Sequence, residues 1–303
     1  MSAVAATRTI RPPHPVDLAR TLFPIRRGTG DPTMRIIGSE AVRAVRTILG
    51  PATLRIRAYD GVIEAEAWGP GTEAALEAAP DLVGATDDDA GFVPHHPIVA
   101  DLWRRRRGVR LTRTGAVVQA LIPAVLEQKV TGVEARRAYR RLVTAVAEPA
   151  PGPFEGLVLP PEPTRLAALP SFAFHPVGVE RRRAEVLKGI CARAGRLDAL
   201  AAGPLDEAKR RLSALPGVGP WTTAEVARLA LGDPDAVSVG DYHLPNLVAW
   251  TLAGEPRGTD DRMLQLLEPY RGHRGRVQCL LEASGIVAPR FGPRMPVRSI
   301  ARL

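Results

Sequence analysis

One short turn constrains this sequence more than any other feature. Residues 215–222 read LPGVGPWT and lie between two stretches of helical periodicity. Two glycines separated by one residue let the backbone approach a ligand closely, and the amides that open the following helix favour an anion. A DNA phosphate suits such a site, although this contact positions a protein on DNA without reading its sequence. A plain loop between two helices is the alternative interpretation.

The charge balance also favours a polyanionic partner. The 303 residues include 41 Lys and Arg against 32 Asp and Glu, which gives a net charge of +9 and a pI near 10.4. Only Lys129, Lys188 and Lys209 are lysines, so coding bias explains the arginine excess as well as selection for guanidinium groups does. The charge therefore indicates nucleic acid as a partner and says nothing about fold.

The cysteine count and the hydropathy pattern exclude several classes of protein. Cys191 and Cys279 are too few for a disulfide framework, a four-thiolate zinc site or an iron–sulfur cluster. No apolar run approaches the roughly 18 residues of a membrane span, and the N-terminus lacks the apolar segment of a signal peptide. We expect a soluble, cytoplasmic protein with no membrane contact.

The first third of the chain is predicted to be a small α+β domain, residues 16–105, after a disordered segment 1–15. Apolar and polar residues alternate in three short runs that predict strands, at 34–37, 54–57 and 62–66. Asp60-Gly61 is a good two-residue turn for an antiparallel hairpin. Residues 42–49 and 72–79 have helical spacing instead.

Helical periods dominate residues 106–287, so the chain as a whole is predicted to be mainly α, followed by a basic tail at 288–303. Pro123 should kink the first helix of this domain or displace its start. The predicted helices are 116–129, 134–146, 163–168, 181–195, 205–214, 222–231, 242–252, 262–267 and 275–283.

An aspartate follows the glycine turn at a suggestive distance. Residues 237–243 read VSVGDYH and lead into a predicted helix, so Asp241 is expected at the helix N-terminus. Backbone amides and the helix dipole stabilise an ionised carboxylate there, which suits an electrostatic catalyst. An ordinary helix-capping aspartate is the alternative.

Together these segments resemble the helix-hairpin-helix DNA glycosylase superfamily, whose members place a catalytic aspartate about this far beyond a Leu-Pro-Gly-Val-Gly hairpin. Residues 121–131 (LIPAVLEQKVT) look like the helix end that faces the lesion in that family, and 178–184 and 270–274 match later elements. The α+β domain in front makes the bacterial 3-methyladenine DNA glycosylase II, or AlkA, type the most similar. The likeness covers most of residues 16–285.

The resemblance implies a monofunctional enzyme. The lyases of this superfamily form a Schiff base with a lysine two positions after the second hairpin glycine, where this sequence has Trp221. Asp241 is the expected catalytic residue, because a carboxylate near the sugar stabilises its oxocarbenium-like state. At about 4 Å and an effective dielectric of roughly 20, this attraction is worth about 4 kcal/mol, or about a thousandfold in rate. An N-alkylated purine is already cationic and leaves without much protonation.

The resemblance assigns two backbone roles to the hairpin. Amides expected to hold a DNA phosphate belong to Gly217, Gly219 and Thr222. Carbonyls that could bind a structural Na⁺ or K⁺ belong to Ser213, Leu215 and Val218. No cofactor is expected to be required.

Gln128 and Lys129 fall where the family inserts a side chain into the gap left by the extruded base. The second position is usually apolar in the family. Lys129 therefore has two interpretations, a wedge or a contact to a DNA phosphate.

The expected base pocket departs from the AlkA type. Trp221 is expected to stack on the base or line its pocket, or else only to pack the hairpin, while Tyr242 and Phe23 are further stacking candidates. Glu225 and His273 match positions that are aromatic in that type. Glu225 is either a contact to the base or a solvated charge on a helix.

The expected partner is double-stranded DNA that contains damaged bases, and the expected state is a monomer. A damaged-DNA-binding protein without catalysis is one alternative function. A glycosylase for oxidised or deaminated purines is the other, because the predicted pocket is more polar than that of the AlkA type.

Overall fold

The computed structural model of the chain describes residues 6–289 and begins with a five-stranded antiparallel sheet. The strands lie in the order β1-β5-β4-β3-β2, so each chain-consecutive pair from β2 to β5 forms a hairpin. Their bounds are Ala6–Ile10 (β1), Met34–Ile37 (β2), Glu40–Thr47 (β3), Gly50–Tyr59 (β4) and Val62–Trp68 (β5). The three runs predicted from alternation all lie in strands.

The structure corrects two predictions in this region. Strand β1 pairs with β5 from Ala6, opposite Ala67, so residues 6–10 belong to the sheet and the expected disorder of 1–15 is wrong for them. Residues 1–5 lie outside the described part of the chain. The helix expected at 42–49 is instead strand β3 up to Thr47, because β4 pairs with β3 along its whole length and β2 pairs with its first four residues.

The turn at Asp60-Gly61 is as predicted. Its φ angles are 49° and 76°, the left-handed values that a type I′ hairpin turn requires. Only one other non-glycine among the described residues has a positive φ, namely Lys129 at 56°.

Fourteen α-helices lie within residues 6–289. Helices α1 to α7 are Leu18–Leu22, Thr72–Glu77, Ala79–Leu82, Pro97–Arg105, Val117–Leu126, Gly132–Ala145 and Pro163–Ala168. Helices α8 to α14 are Arg181–Cys191, Ala194–Asp198, Leu205–Ser213, Pro220–Val226, Leu244–Ala253, Asp260–Leu267 and Arg274–Glu282. A π-helical segment, Ala227–Leu231, continues α11. The prediction of a mainly α protein with a small antiparallel sheet is confirmed.

Helix α5 lies at the centre of the largest hydrophobic core. Nine of its ten residues are buried, among them Leu121 and Leu126, and it packs against α6, α8, α9 and α11. Pro123 lies inside α5, so it does not displace the start of the helix. This core fixes the end of α5 against the start of α11, where the glycine turn lies.

Helix α4 packs with the last helices of the chain. Val99 and Leu102 belong to a hydrophobic cluster built from α12, α13 and α14. A domain boundary at residue 105, as expected from the sequence, would therefore place α4 in a different domain from the helices that it packs against. The basic tail was expected at 288–303, and its residues from 290 onward lie outside the described part of the chain. Among the described residues, no helix is long and apolar enough to cross a membrane.

Candidate active site

The hairpin between α10 and α11 is built around two glycines with different constraints. Gly217 has a φ of 82°, and a Cβ there would lie 2.3 Å from Cγ2 of Val186 on α8. Gly219 has a φ of −92°, and a Cβ added there would meet open space. Val218 between them is buried. The turn thus packs through residues 217 and 218 and leaves the backbone of residue 219 open.

Gln128 ties the hairpin to the end of α5. Its side-chain amide donates hydrogen bonds to the carbonyl oxygen of Gly217 and to Oγ1 of Thr222, both at 2.9 Å. The donors of Gln128 are therefore used within the protein, and Lys129 is the exposed residue at this turn. The left-handed backbone of Lys129 is a strained conformation of the kind that often accompanies function.

Asp241 lies just before α12 with its carboxylate over the first turn of that helix. Oδ1 accepts hydrogen bonds from the backbone amides of His243 at 2.7 Å and Leu244 at 2.8 Å. The helix starts at Leu244 and not at the predicted Tyr242, so the carboxylate reaches the free amides from three residues before the helix. Amides that point at Oδ1 favour its negative charge.

Trp221 holds the other oxygen of this carboxylate. Its indole Nε1 donates a hydrogen bond to Oδ2 of Asp241 at 3.1 Å, and its ring packs against the core around α5. Asp241 is half-buried, so the residue as a whole is not enclosed inside the protein. The hairpin and the aspartate predicted from sequence thus meet in one place, and they do so through Trp221.

The loop that carries Asp241 is anchored on both sides. The carboxylate of Asp260, at the start of α13, accepts from the amide of Gly240 at 3.0 Å and 3.1 Å. Asp235 accepts from the amides of Gly272 and Arg274 and from the Arg274 guanidinium. Burial alone would raise the pKa of Asp235, but these hydrogen bonds hold it below its usual range. These anchors fix Asp241 relative to α13 and α14.

Glu225 lies one helical turn beyond Trp221 and is not a solvated charge. Its side chain is 12% exposed, and both oxygens accept from Arg228 at 3.1 Å. Oε1 also accepts from the hydroxyl of Ser238 at 2.5 Å. Burial would raise the pKa of Glu225, but Arg228 and Ser238 lower it overall. The interpretation of Glu225 as a solvated helix charge is therefore wrong.

Arg228 joins a second glutamate to this cluster. Its Nη1 donates to Oε2 of Glu282 at 3.0 Å, and Gln278 donates to Oε1 of Glu282 at 2.8 Å and to Ser238 at 3.1 Å. We call Glu225, Arg228, Ser238, Gln278 and Glu282 the carboxylate cluster. It connects α11 and its π-helical extension to the end of α14.

A further charged pair connects the end of α5 to the N-terminal domain. Arg27 donates to Oε1 of Glu127 at 3.3 Å. Burial raises the pKa of Glu127, and the nearby charge of Glu225 adds to this effect, while Arg27 opposes it. The charge of Glu225 thus acts on Glu127 at the end of α5.

Within the described part of the chain, the other three residues predicted for the base pocket form no hydrogen bond or ring contact with Trp221 or Asp241, and each has its own surroundings. Tyr242 is 77% exposed with its ring edge against His243, and Phe23 is 70% exposed in a 3₁₀ turn of the N-terminal domain. His273 is engaged with the segment before α4, since Nε2 hydrogen-bonds the carbonyl of Ala90 and the ring packs on Phe92.

The hairpin carbonyls considered for a cation have mixed surroundings. Leu215 already accepts a hydrogen bond from the amide of Val218 at 3.0 Å. Ser213 ends α10, so its carbonyl lies among those that a helix leaves without an intrahelical partner. Within residues 6–289, no group of three or more His, Cys, Asp or Glu side chains could hold a metal ion.

The chain resembles known DNA repair proteins in part of its sequence and in its fold. No protein-family model matches the chain. A curated relative, the probable bifunctional transcriptional activator/DNA repair enzyme AlkA of Mycobacterium tuberculosis, is 31% identical over 170 residues. The match covers 55% of this chain and 32% of that protein, so the chain matches about a third of its relative's length.

Among solved structures, a 3-methyladenine DNA-glycosylase from Archaeoglobus fulgidus superposes with a TM-score of 0.75 at 16% identity, over 91% of this chain and 97% of that one. The chain has the fold of the helix-hairpin-helix DNA glycosylases. A second structure is an 8-oxoguanine glycosylase/lyase of Clostridium acetobutylicum, bound to double-stranded DNA with cytosine opposite 8-oxoG. It superposes with a TM-score of 0.69 at 12% identity, over 94% of this chain and 99% of that one. These superpositions show the fold, and at identities this low they do not identify a substrate.

Sequence reasoning missed several polar residues of this glycosylase fold. Arg228, Glu282 and Gln278 form the carboxylate cluster with Glu225, and Asp260 anchors Gly240. Glu282 lies 54 positions from Arg228, so no local pattern connects them. The one local signal was the position of Ser238, three residues before Asp241.

Proposed function

We propose that this protein is a monofunctional DNA glycosylase that extrudes a damaged purine from duplex DNA and hydrolyses its N-glycosidic bond. The observation that carries the proposal is the Asp241 carboxylate, which two backbone amides and the Trp221 indole hold beside the glycine hairpin. The family resemblance implies that the hairpin binds DNA next to the lesion. The carboxylate would then lie near the deoxyribose of the extruded nucleotide.

The held carboxylate suits a dissociative reaction. When the C1′–N9 bond lengthens, positive charge develops on the sugar ring, and a fixed negative charge nearby stabilises it. Three hydrogen bonds from groups of the protein keep Asp241 oriented before the reaction begins, so little reorganisation is needed. A water molecule then adds at C1′.

In this proposal the hairpin supplies no nucleophile for covalent catalysis. Position 221 is a tryptophan, and its indole nitrogen carries no basic lone pair with which to attack an aldehyde. Trp221 instead orients Asp241. The product would be an abasic site with both strands intact.

The backbone at the hairpin supports a grip on DNA. We propose that amides of Gly217, Gly219 and Thr222 hold a phosphate, since a Cβ at Gly219 would enter open space and the turn precedes a helix. Carbonyls of Ser213, Leu215 and Val218 would hold Na⁺ or K⁺ and keep the turn rigid. Such a protein would act in the cytoplasm, on the nucleoid.

Substitution of Asp241 tests the proposal directly. Asp241→Asn should lose release of 7-methylguanine from methylated duplex DNA by about a thousandfold, because the amide carries no charge. Binding to a duplex that contains an abasic-site analogue should persist. Released base is measured by mass spectrometry in single-turnover reactions. Asp261→Asn, at an exposed position of α13, is the matched control and should keep full release.

Two outcomes would reject this proposal. Unchanged release by Asp241→Asn would remove the carboxylate from the mechanism. Tight duplex binding with release of no damaged base by the unsubstituted protein would favour the non-catalytic alternative.

A glycosylase for oxidised or deaminated purines is the second candidate. The observation that favours it is the carboxylate cluster, whose Glu225 matches a position that is aromatic in the AlkA type. Carboxylates and a guanidinium recognise polar base edges better than they recognise an apolar face.

A further inference from the structure

Helix α6 carries four arginines on its solvent side, and we call them the arginine face. All four are exposed, namely Arg136, Arg137, Arg140 and Arg141. Within residues 6–289, none of them donates a hydrogen bond to a protein group or forms an ion pair. The one acidic residue of the helix is Glu134, whose carboxylate closes the capping box at its N-terminus. The arginine face therefore presents its guanidinium groups to solvent.

The spacing of these arginines is unfavourable for a helix surface in water alone. On α4, the exposed Arg104 and Arg105 both bind Asp101, which lies one turn before them. On the arginine face, by contrast, each arginine has another arginine four positions away. Like charges at this spacing destabilise a helix. An anionic partner that neutralises them removes this penalty.

The N-terminal domain positions two of the four side chains. A Cβ on Gly28 would lie 2.6 Å from Cδ of Arg136, and a Cβ on Gly30 would lie 3.1 Å from Nη1 of Arg140. These two glycines therefore let the loop lie directly against the arginine side chains. The same loop is tied to the end of α5 by Arg27 through the ion pair described above. The arginine face is thus shared by α6 and the N-terminal domain.

The arginine face begins near the glycine hairpin. Gln128 bonds to the hairpin at 2.9 Å, the exposed Lys129 follows it, and α6 starts at Gly132. Four residues of chain span at most about 14 Å, and Arg136 lies about 6 Å further along the helix axis. Duplex DNA rises about 3.4 Å per base pair, so it covers this distance in about six base pairs. A duplex bound at the hairpin is therefore long enough to reach the arginine face.

We infer that the arginine face is a second DNA-binding surface, which binds the sugar–phosphate backbone of the duplex outside the lesion. The inference rests on the proposed function, because it takes the hairpin to bind DNA beside the lesion. Duplex DNA carries one negative charge about every 1.7 Å of its axis, and the four arginines lie along about 8 Å of helix. Guanidinium groups form strong, charge-assisted hydrogen bonds with phosphates.

Such contacts read no bases, so their effect differs from that of the candidate active site. The arginine face raises the affinity for undamaged and damaged duplex alike. It holds the protein on DNA while the protein searches for a lesion, and it does not touch the extruded base.

Arg140→Gln with Arg141→Gln tests the inference on an undamaged, labelled duplex. The slope of log K against log salt concentration should fall by about 2, and affinity at about 0.15 M salt should fall about 30-fold, because fewer counterions are released. The protein concentration that gives half-maximal single-turnover release of 7-methylguanine should rise by the same factor. Arg104→Gln with Arg105→Gln removes the same charge from an ion-paired helix surface and is the matched control, which should keep the slope.

A charge-preserving variant separates this role from a structural one. Arg140→Lys with Arg141→Lys should keep the slope, because counterion release depends on charge. An equal loss in the lysine and glutamine variants would indicate a structural role and overturn the inference.

The remaining outcomes separate the inference from the proposed function. Unchanged slope and affinity in the glutamine variant would overturn the inference, and loss of poly-glutamate binding in that variant would then identify an acidic polypeptide as the partner. If the unsubstituted protein binds duplex DNA but releases no damaged base, only the proposed function fails. The comparison of slopes then still decides whether the arginine face binds DNA.

Discussion

Trp221 and Asp241 are joined by a hydrogen bond from indole to carboxylate, 3.1 Å long, that connects the hairpin to the candidate catalytic residue. Hydrogen bonds to charged groups contribute about 1.5–3 kcal/mol, so this bond is strong enough to fix the carboxylate. In the proposed mechanism Trp221, which matches the position of the lyase lysine, would therefore act through the aspartate.

Trp221→Phe keeps the apolar ring and removes the indole donor. Release of 7-methylguanine should slow by about 10- to 100-fold, the equivalent of the lost hydrogen bond, while affinity for an abasic-site analogue changes little. Single-turnover rates and band-shift titrations measure the two effects. Trp250→Phe, on the exposed side of α12, should change neither. Equal loss of binding and rate would mean that Trp221 stacks on DNA instead.

The two hairpin glycines should respond oppositely to alanine. Gly217→Ala forces a positive φ on alanine and places Cβ against Val186, so the free energy of unfolding should fall by about 1–3 kcal/mol. Gly219→Ala fits its backbone angles and should leave stability unchanged or slightly higher. Its added methyl group should weaken duplex binding where a phosphate approaches. Urea titrations and DNA affinities separate these effects, and unaltered affinity in Gly219→Ala would contradict the phosphate site.

The role of Lys129 can be read from the salt dependence of binding. If its exposed ammonium contacts a phosphate, as we expect, Lys129→Gln should reduce the slope of log K against log salt concentration by about 1. Lys188→Gln, on the half-buried side of α8, is the control. An unchanged slope with slower base release would support the wedge interpretation.

Asp235 should make stability depend on acid. Its pKa is lowered in the folded protein by Arg274 and Gly272, so its ionised form stabilises the fold above the ordinary carboxyl pKa of about 4. This contribution disappears as pH falls through the lower folded value. Asp235→Asn should therefore be less stable than the unsubstituted protein at pH 7, and the difference should narrow below about pH 4. Asp206→Asn, whose side chain is 98% exposed, should show no such difference.

Features encoded within a few neighbouring residues could be predicted from the sequence. The Asp60-Gly61 turn depends only on which residues tolerate a positive φ, and the glycine hairpin depends on two glycines between helices. The position of Asp241 before a helix followed from the same local reasoning, and the structure starts that helix two residues later than predicted.

Prediction failed where contacts between segments that are distant in the chain determine the structure. Residues 42–49 have helical spacing, but pairing with β2 and β4 makes 40–47 a strand. A distant segment also contacts His273, whose ring bonds to Ala90, 183 positions away in the chain, and its role in a base pocket stays a prediction. Strand pairing overrides the local helical preference of residues 42–49 because it satisfies backbone hydrogen bonds along the sheet.

By itself the sequence determined the hairpin, the aspartate after it and the absence of a lysine at position 221, because each is a property of adjacent residues. Only the tertiary structure decided that Trp221 points its indole at Asp241 and that Glu282 joins Glu225 around one arginine. Those contacts form because the packing of α5 against α11, and of α14 beside the Asp241 loop, brings together side chains that no sequence period relates.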